Sequence, residues 1–385
     1  MKNLELTNKS VLNPVEIKES EIDKAIENAL KIIEGRMERF GDMFPAPCTE
    51  NFVYPLTDNR GWVAGMLTGQ YWLSYQLSGK DIFKNAAKEN LKSFRERLGT
   101  KRMDTHDVGF LYTPSCVAAY KVTGNEEAKE MAIKAAEELM HYRWCERDGF
   151  IKRGGHRLII DTMLNIPLLF WASEVTGDEK YKNAAISHYK LTAKYIVRDD
   201  FSTNHHFQIN EETGEPIGGV TLQGNGDNSC WSRGHSWGVY GYPIAYSYCG
   251  DEEILPLHQN LTYYFLNGLS FENLPYWDFD FKDGDGAPYD SSAAAISVCG
   301  LDEMCRILPD NAPQKEIFKN ARDNMMRALL LKCACKPGDG KEGILCHVTH
   351  ALPQGQGIDQ CGVYGDYFFL EALARYKNNN FIRYW

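Results

Sequence analysis

The chain has 385 residues, 43% of them hydrophobic, and a formal net charge of −10. This length is enough for a large core and allows one or two domains. We expect a single domain over residues 1–385, with residues 1–19 as an N-terminal lead-in. The acidic balance argues against a nucleic-acid partner and against an anionic membrane. No run of about 18 apolar residues predicts a membrane span, and the N-terminus lacks the apolar segment of a signal peptide.

The cysteines are eleven in number, an odd count, and no C-x-x-C motif is present. This pattern favours reduced thiols over a disulfide framework or a zinc site, and it predicts a cytoplasmic protein. We also find no P-loop and no dinucleotide fingerprint, so no cofactor and no metal are predicted. We expect a monomer or a weak homodimer.

Helical periodicity dominates the chain, because apolar residues recur every three or four positions in most segments. The segments predicted as helices are 22–40, 67–77, 82–98, 111–122, 128–144, 163–175, 181–197, 237–248, 255–269, 293–308, 318–331 and 366–376. Strand signals are few, and the residues 207–209 and 220–222 form the one short pair that we predict.

Four glycines, Gly79, Gly124, Gly177 and Gly250, each stand between two predicted helices and precede an acidic helix start. Glycine at this position is typical of a helix C-cap, so the helices are paired into hairpins. The glycines are unequally spaced, whereas a solenoid would keep a fixed period. The pattern therefore predicts an all-α toroid of about six hairpins, with long loops between the pairs on one binding face.

The segment from Gly219 to Gly241 combines glycines with amide, cationic and aromatic side chains. Aromatic planes beside arginine and amide groups suit a polar, planar and anionic ligand. The alternative is a loop leading into a helix, whose tryptophans only pack against the core.

Two aspartates precede predicted inner helices. Asp161 lies between apolar residues, where desolvation raises the pKa of a carboxyl group and suits it to general acid catalysis. Asp107 stands next to His106 before the neighbouring inner helix, and two such acids would form the carboxylate pair that glycoside chemistry uses. The alternative for each is a helix N-cap, a position that favours aspartate.

Other polar clusters carry weaker signals. His205 and His206 are adjacent, but no nearby residue has clear metal-ligand spacing. The acidic run from Asp278 to Asp285 departs from the EF-hand pattern at Lys282 and Ala287, so we interpret it as a solvated turn.

Six motifs, in this order, resemble family 88 of the glycoside hydrolases, the unsaturated glucuronyl hydrolases. The resemblance extends over residues 22–376. The motifs are H-D-V-G-F at 106–110, I-I-D-T-M-L-N-I-P-L-L at 159–169, Q-G-N-G-D-N-S-C-W-S-R-G-H-S-W-G-V-Y-G at 223–241, W-D-F at 277–279, Y-D-S-S-A-A-A-I at 289–296 and G-D-Y-F-F-L-E-A-L at 365–373.

The resemblance implies an (α/α)6 barrel and an enzyme that removes an unsaturated uronic acid from the non-reducing end of oligosaccharides left by polysaccharide lyases. It implies hydration of the vinyl ether, with protonation of carbon four and addition of water at carbon five. By resemblance, Asp161 is the general acid and base and Asp107 the second essential carboxylate. By the same resemblance, the residues that line the sugar site are Trp62, His106, His205, Gln223, Arg233 and Trp237.

The sequence departs from the family pattern near the position of a second sugar. The loop before Asp161 is short, lacks the usual tryptophan and carries Arg153, His156 and Arg157. The serine- and lysine-bearing motif that accompanies sulfated substrates is not apparent near the C-terminus. We hypothesise that the three cationic side chains contact an acidic or sulfated second sugar.

Three rival interpretations remain open at this point. The first is an unsaturated rhamnogalacturonyl hydrolase, of family 105, with the same barrel and the same hydration. The second is a toroid without catalytic activity that binds acidic oligosaccharides. The third is a metal- or thiol-dependent enzyme that uses His205, His206 and Cys230.

Overall fold

The computed structural model describes residues 3–385. Helices dominate it, as predicted. They are α1 (Glu19–Phe40), α2 (Ala64–Ser78), α3 (Asp81–Arg97), α4 (Val108–Tyr112), α5 (Ala118–Thr123), α6 (Glu126–Arg143), α7 (Pro167–Thr176), α8 (Glu179–Tyr195), α9 (Ser232–Cys249), α10 (Ile254–Asn267), α11 (Ser291–Ile307), α12 (Pro313–Ala328) and α13 (Val363–Lys377). A π turn at Thr113–Val117 joins α4 to α5, and it contains Pro114, which cannot donate an α-helical hydrogen bond.

The helices form two concentric rings. The inner ring consists of α2, α4–α5, α7, α9, α11 and α13, and the outer ring consists of α1, α3, α6, α8, α10 and α12. Each inner helix pairs with the outer helix that follows it, except that α13 packs on α1 and so closes the ring. Inner helices such as α11 are buried on nearly every side, whereas outer helices such as α12 bury a single apolar stripe. The prediction of an (α/α)6 barrel is confirmed.

The four predicted glycine turns close hairpins at one end of the barrel. Gly79, Gly124, Gly177 and Gly250 each have φ between 65° and 73°, in the left-handed region that favours glycine. The long connections between hairpins therefore meet at the opposite end, where the inner helices begin. That end carries the chemically distinctive loops.

Three small antiparallel sheets lie among these loops. Two are two-stranded: β1 (Phe44–Pro45) with β2 (Leu56–Thr57), and β3 (Trp144–Cys145) with β4 (Phe150–Ile151). The third has the order β5 (Arg157–Ile159), β6 (His206–Ile209) and β7 (Pro216–Val220). The prediction that 207–209 forms a strand pair with the segment near 220 is confirmed. The predicted bounds 220–222 are wrong, because β7 ends at Val220, where the chain turns.

Several inner helices begin at other residues than predicted. The helix predicted over 163–175 begins at Pro167, since Ile160–Leu164 forms a separate 3₁₀ turn. The helix predicted from 237 begins at Ser232, so half of the glycine-rich segment is helical rather than loop. Among residues 3–385, no helix combines the length and apolar character needed to cross a membrane.

Candidate active site

A cavity of about 280 Å³ opens at the loop end of the barrel. All eight residues predicted for the site line it, namely Trp62, His106, Asp107, Asp161, His205, Gln223, Arg233 and Trp237. A larger groove of about 580 Å³ lies elsewhere, beside Phe271 and Phe279, and contains none of the eight. The cavity that holds the carboxylates, rather than the larger groove, is therefore the candidate active site.

Tight packing of two inner helix starts brings the two carboxylates to the same cavity. A Cβ atom on Gly109 would lie 2.3 Å from the Cα atom of Asn165, so only glycine permits this approach. The Asn165 side chain accepts a hydrogen bond from the Phe110 N–H at 2.8 Å and donates one to the Asp161 carbonyl at 3.1 Å. Asn165 thereby couples the turn bearing Asp161 to the helix that begins after Asp107.

Asp161 has the environment of a general acid. Its Oδ2 atom is buried and makes no hydrogen bond with any described residue. Desolvation, followed by repulsion from Asp107, raises the pKa of Asp161 from 3.8 to about 7. Its carboxylate caps no helix, because α7 begins only at Pro167. A proton on this carboxyl group is thus available to a ligand near neutral pH.

Asp107 occupies the N-cap position of α4, yet its carboxylate accepts no capping hydrogen bond. Instead, Oδ2 accepts a hydrogen bond from the Thr105 hydroxyl at 3.1 Å, and Oδ1 lies 3.3 Å from Nε2 of His106. Burial lowers the pKa of His106. The capping alternative therefore fails for Asp107 as well, and its carboxylate is oriented by Thr105 and by His106, which lines the cavity.

His205 is fixed in one tautomer by the loop that follows β7. The backbone N–H groups of Leu222 and Gln223 point at its Nδ1 atom, at 3.2 and 3.3 Å, so Nδ1 is an acceptor. Burial holds the pKa of His205 well below its ordinary value, so the ring is neutral with its proton on Nε2. This Nε2 atom lies 3.8 Å from Oδ2 of Asp161.

Arg233 is almost fully buried, and its charge is offset inside the protein. Its Nη1 group donates to the Asp290 carboxylate and, at 2.8 Å, to the Thr349 carbonyl. The guanidinium lies between the rings of Trp231 and Tyr364, 4.6 Å from each centroid. Arg233 thus lines the cavity as half of an ion pair, not as an isolated cation.

The aromatic and amide groups take distinct positions. Trp62 stacks on Tyr364 with a centroid distance of 5.3 Å and remains partly exposed to the cavity. Trp237 is fully buried, and its indole N–H has no partner among the described residues. The Gln223 amide donates to the His350 carbonyl at 2.9 Å, which leaves its Oε1 atom as an acceptor.

The acidic run at 278–285 contains one residue that is not part of a solvated turn. Asp278 is fully buried, and its Oδ2 atom accepts hydrogen bonds from the Asn225 N–H at 2.9 Å and the Ser229 hydroxyl at 2.7 Å. Our interpretation of the run was wrong at this position. The carboxylate holds the loop that carries Gln223, so its effect on the cavity is indirect.

The three cationic side chains of the loop before Asp161 point in different directions. Arg153 lines the cavity, whereas the Arg157 guanidinium donates to the Gly154 carbonyl at 2.9 and 2.6 Å. His156 lies 2.5 Å from Asp148 through its Nε2 atom. The prediction that all three side chains face one ligand is therefore wrong for Arg157 and His156, which face away from the cavity toward a neighbouring groove.

The metal- and thiol-dependent alternatives find little support here. Burial raises the pKa of Cys230 to about 12, so this thiol is not poised as a nucleophile. The one group with metal-ligand spacing in residues 3–385 is Cys145, Asp148 and His156, and none of the three lines the cavity.

The cavity residues that sequence reasoning missed include Trp231 and His350. Trp231 lies inside the glycine-rich segment, and its proximity to Arg233 was a usable signal. His350 belongs to a loop over 100 residues away with no recognisable motif, and its carbonyl accepts hydrogen bonds from both Arg233 and Gln223. The contact depends on tertiary structure alone.

Paired carboxylates, neutral imidazoles and indoles at the loop end of an α/α barrel define the site of a carbohydrate-active hydrolase. Comparisons with known proteins agree. Glycosyl Hydrolase Family 88 matches residues 36–270. The unsaturated chondroitin disaccharide hydrolase of Streptococcus pneumoniae is 44% identical over 374 residues, which cover 95% of this chain and 94% of that protein.

Solved structures show the same relationship. The crystal structure of unsaturated glucuronyl hydrolase from Streptococcus agalactiae has a TM-score of 0.96 and 41% identity, with 100% of this chain and 98% of that chain covered. A mutant of that enzyme complexed with dGlcA-GalNAc6S has a TM-score of 0.90 and 39% identity, with coverage of 100% and 99%. The chain therefore belongs to family 88 of the glycoside hydrolases, the unsaturated glucuronyl hydrolases, and it is a glycosidase.

Proposed function

We propose that this glycosidase releases the unsaturated, 4-deoxy-4-ene uronic acid from the non-reducing end of lyase-generated glycosaminoglycan-type oligosaccharides. In this proposal Asp161 is the general acid and base, and Asp107 is the second essential carboxylate. The observation that carries the proposal is the buried Oδ2 atom of Asp161, which has no partner in the described residues and belongs to a carboxyl group with a pKa of about 7.

One carboxyl group is enough for the whole reaction, because it first donates a proton and later accepts one. Protonated Asp161 transfers its proton to carbon four of the vinyl ether, and the positive charge that develops at carbon five is shared with the ring oxygen. Water adds to carbon five, and the Asp161 carboxylate accepts a proton from that water. The resulting hemiketal opens, and the second sugar leaves with the oxygen of the original glycosidic bond.

Neighbouring groups stabilise the charges of this cycle. The Asp107 carboxylate favours the cationic transition state and, by repulsion, keeps a proton on Asp161. The Nε2–H of His205 faces Asp161 Oδ2 and stabilises the carboxylate after proton transfer. The free Oε1 atom of Gln223 is an acceptor for the attacking water.

Of the remaining predicted residues, the two tryptophans bind the sugar, and Arg233 and His106 orient neighbouring side chains of the cavity. Trp62 presents a partly exposed ring for stacking on the half-planar uronate, and the Trp237 indole N–H is free to donate. Arg233, although paired with Asp290, orients the Trp231 ring, and His106 orients Asp107.

Similarity supports the substrate class. The Streptococcus pneumoniae relative is a chondroitin disaccharide hydrolase, and the Streptococcus agalactiae structure contains an unsaturated uronic-acid disaccharide. Eleven free cysteines agree with the predicted cytoplasmic location. A single domain and a monomer or weak homodimer remain part of the proposal.

The test is turnover of unsaturated disaccharides from chondroitin, hyaluronan, heparin and rhamnogalacturonan by the wild type and Asp161→Asn. Hydration removes the conjugated double bond, so ultraviolet absorbance falls, and in D2O deuterium appears at carbon four of the released sugar. Direct cleavage at the anomeric carbon would first release a sugar with its double bond intact, which loses that bond and gains deuterium only as it tautomerises, so the absorbance would fall later than the second sugar is released.

Each outcome decides between the candidates. Turnover of glycosaminoglycan disaccharides by the wild type alone supports the proposal and the role of Asp161. Preference for the rhamnogalacturonan disaccharide would favour the family 105-like activity. Binding without turnover, unchanged in Asp161→Asn, would favour a toroid that only binds acidic oligosaccharides.

A further inference from the structure

The hairpin of β3 and β4 and the loop that follows it bring together three side chains that can each bind a metal ion. Cys145 ends β3, Asp148 lies in the turn, and His156 directly precedes β5. Cys145 and His156 are each only 8% exposed. Over residues 3–385, this is the one group of three such side chains whose ligand atoms lie within 4.8 Å of one another. None of them lines the active-site cavity, so the cluster is separate from the site of the reaction.

The distances within the cluster are close to those around a tetrahedral zinc ion. The Sγ atom of Cys145 lies 3.5 Å from Oδ2 of Asp148 and 4.0 Å from Nε2 of His156, and Nε2 lies 2.5 Å from Oδ2. Zinc bonds of about 2.0–2.3 Å in tetrahedral geometry place neighbouring ligand atoms about 3.3–3.6 Å apart. The main change that zinc requires is therefore a rotation of Asp148 that moves Oδ2 about 1 Å away from Nε2.

The Nε2 atom of His156 faces two partners that no single tautomer satisfies. The Asp148 carboxylate only accepts hydrogen bonds, so it requires a proton on Nε2. Nη2 of Arg147 lies 3.4 Å from the same nitrogen and only donates, so it requires a lone pair there. A metal ion removes this conflict, because Nε2 and Oδ2 both direct lone pairs at the ion.

Arg147 supplies the positive charge that faces the cluster. Its guanidinium donates to Oδ1 of Asp148 at 2.9 Å and to Oδ2 at 2.6 Å. Chiefly through this hydrogen bonding, the pKa of Asp148 is lowered to about 2, so its carboxylate is charged at neutral pH. The Arg147 side chain is 48% exposed, and displacing such a surface ion pair costs little. The neighbouring groove, lined by His156 and by the exposed Glu211 and Glu212, gives an ion access from solvent.

We propose that Cys145, Asp148 and His156 bind a divalent zinc ion, with water as the fourth ligand, and that Arg147 leaves the cluster when the ion enters. Sulfur, nitrogen and oxygen ligands together favour zinc over magnesium and calcium, which prefer oxygen alone. The Cys145 thiol releases its proton to solvent as the zinc–sulfur bond forms. The thiolate and the Asp148 carboxylate then balance both charges of the ion. The ion ties the hairpin to β5 and takes no part in the chemistry of Asp161.

The test is a titration of the full chain with zinc chloride, in competition with a chromophoric chelator and with a phosphine keeping the thiols reduced. We expect the wild type to bind one zinc ion per chain. Cys145→Ser and His156→Gln should each weaken that binding about a hundredfold or more. The matched control is Cys249→Ser, which removes a partly exposed thiol elsewhere and should leave the affinity unchanged. Circular dichroism verifies the fold of each variant.

Arg147→Gln should act in the opposite direction. It removes the cation that competes with zinc, so we expect affinity to rise about tenfold. Its control is Arg157→Gln, an arginine that bonds to the Gly154 carbonyl and should have no effect. Weaker zinc binding in Arg147→Gln would contradict the displacement.

Cobalt(II) gives an independent readout of the ligands, because a cobalt–thiolate bond absorbs in the near ultraviolet. This absorbance should appear in the wild type and in Cys249→Ser, and it should be absent in Cys145→Ser. Equal zinc affinity in the wild type and in Cys145→Ser or His156→Gln would overturn the inference, since the zinc would then be bound adventitiously by other groups.

Discussion

Both ends of the barrel bury carboxylates, but Asp161 at the loop end and the carboxylates around Arg375 at the hairpin end are in opposite electrostatic states. At the loop end, Asp161 has an oxygen without a partner, and burial raises its pKa to about 7. At the other end, Arg375 lies 3.0 Å from Glu371, 3.2 Å from Asp302 and 3.0 Å from Glu303. Burial alone would raise the pKa values of Asp302 and Glu303, but the surrounding arginines outweigh it and lower both.

This difference separates catalysis from stability. A compensated buried carboxylate keeps its charge and contributes to the fold, whereas one without compensation retains a proton and can deliver it. At the end of the barrel where the hairpins turn, which we call the closed end, Glu371 also accepts a hydrogen bond from the Trp385 indole at 2.9 Å. The C-terminus is therefore part of the same network. The following experiments test whether the two ends really differ in this way.

The largest effect is expected from Asp161→Asn. The variant keeps the shape of the side chain but has no transferable proton, so we expect kcat to fall about 10³-fold, equivalent to about 4 kcal/mol. Loss of ultraviolet absorbance measures the rate, and circular dichroism verifies the fold. A fall of less than tenfold would remove Asp161 from the role of acid.

Arg375→Met should act on stability and not on chemistry. It leaves Glu371, Asp302 and Glu303 without their shared cation, and we expect a loss of about 3 kcal/mol or more in unfolding free energy. Urea unfolding measures it. The control is Arg95→Met, which removes an exposed pair with Glu127 and should cost less than about 1 kcal/mol.

If Arg375→Met does not fold, Tyr240→Phe tests the same network with a smaller change, the loss of one hydroxyl group. The Tyr240 hydroxyl accepts a hydrogen bond from Arg375 at 2.6 Å and donates one to Glu371. Equal stability of the Arg375 and Arg95 variants, or of Tyr240→Phe and the wild type, would contradict the structural role of the closed end.

Stability should depend on pH with opposite signs at the two ends. The pKa of Asp161 is raised from 3.8 to about 7 on folding, so its ionisation destabilises the protein progressively between these values. Asp161→Asn should therefore gain stability over the wild type by about 2–3 kcal/mol between pH 5 and pH 8. Urea unfolding of both proteins at these two pH values provides the measurement, and a constant difference would refute the raised pKa.

The stability that the closed end contributes should change only at acid pH. Because the pKa values of Asp302 and Glu303 lie below 3.8 and 4.5, the stability that their charges contribute is present above those values and is lost as the pH falls through the lowered ones. Asp161→Asn should show this acid loss as the wild type does.

A smaller effect is expected on the pH dependence of kcat in Asp107→Asn, measured on the activity that this variant retains. Removing the negative charge beside Asp161 lowers the pKa of Asp161, so the fall in kcat at alkaline pH should begin at a lower pH than in the wild type. The pH profile of kcat measures the shift. Movement toward higher pH would contradict the repulsion between the two carboxylates.

The smallest effect should follow chelation. The cavity residues include no group with metal-ligand spacing among those described, and we expect dialysis against EDTA to leave kcat unchanged within error. Metal analysis of the purified protein is the control. Loss of activity that zinc restores would revive the metal-dependent alternative.

Much of the architecture was predictable from local patterns. Glycine at 79, 124, 177 and 250 marks helix ends because few other residues adopt positive φ at low cost, and the helical period is set by the chain itself. The helix start at Pro167 and the break in the helix predicted over 111–122 were missed, because the 3₁₀ turn and the π turn that cause them have no strong sequence signal.

The candidate site was predictable in part. Asp161 was identifiable because its neighbours in sequence are apolar, and Asp107 because it precedes the neighbouring inner helix beside His106, whereas the resemblance to a known family supplied the individual roles of the other site residues. The neutralisation of Arg233 by Asp290, 57 positions away, was not predictable. Nor was the contact of His350 with Gln223, since neither pair shares a local motif.

The sequence alone therefore determined which residues form helices, where the hairpins turn and which aspartate is surrounded by apolar side chains. Tertiary structure decided which charges are compensated. Arg153 and Arg157 are four residues apart and chemically identical, yet one lines the cavity and the other bonds to Gly154. The reason is physical: helix formation and desolvation by sequence neighbours are local, whereas the compensation of a charge depends on groups brought together only when the barrel closes.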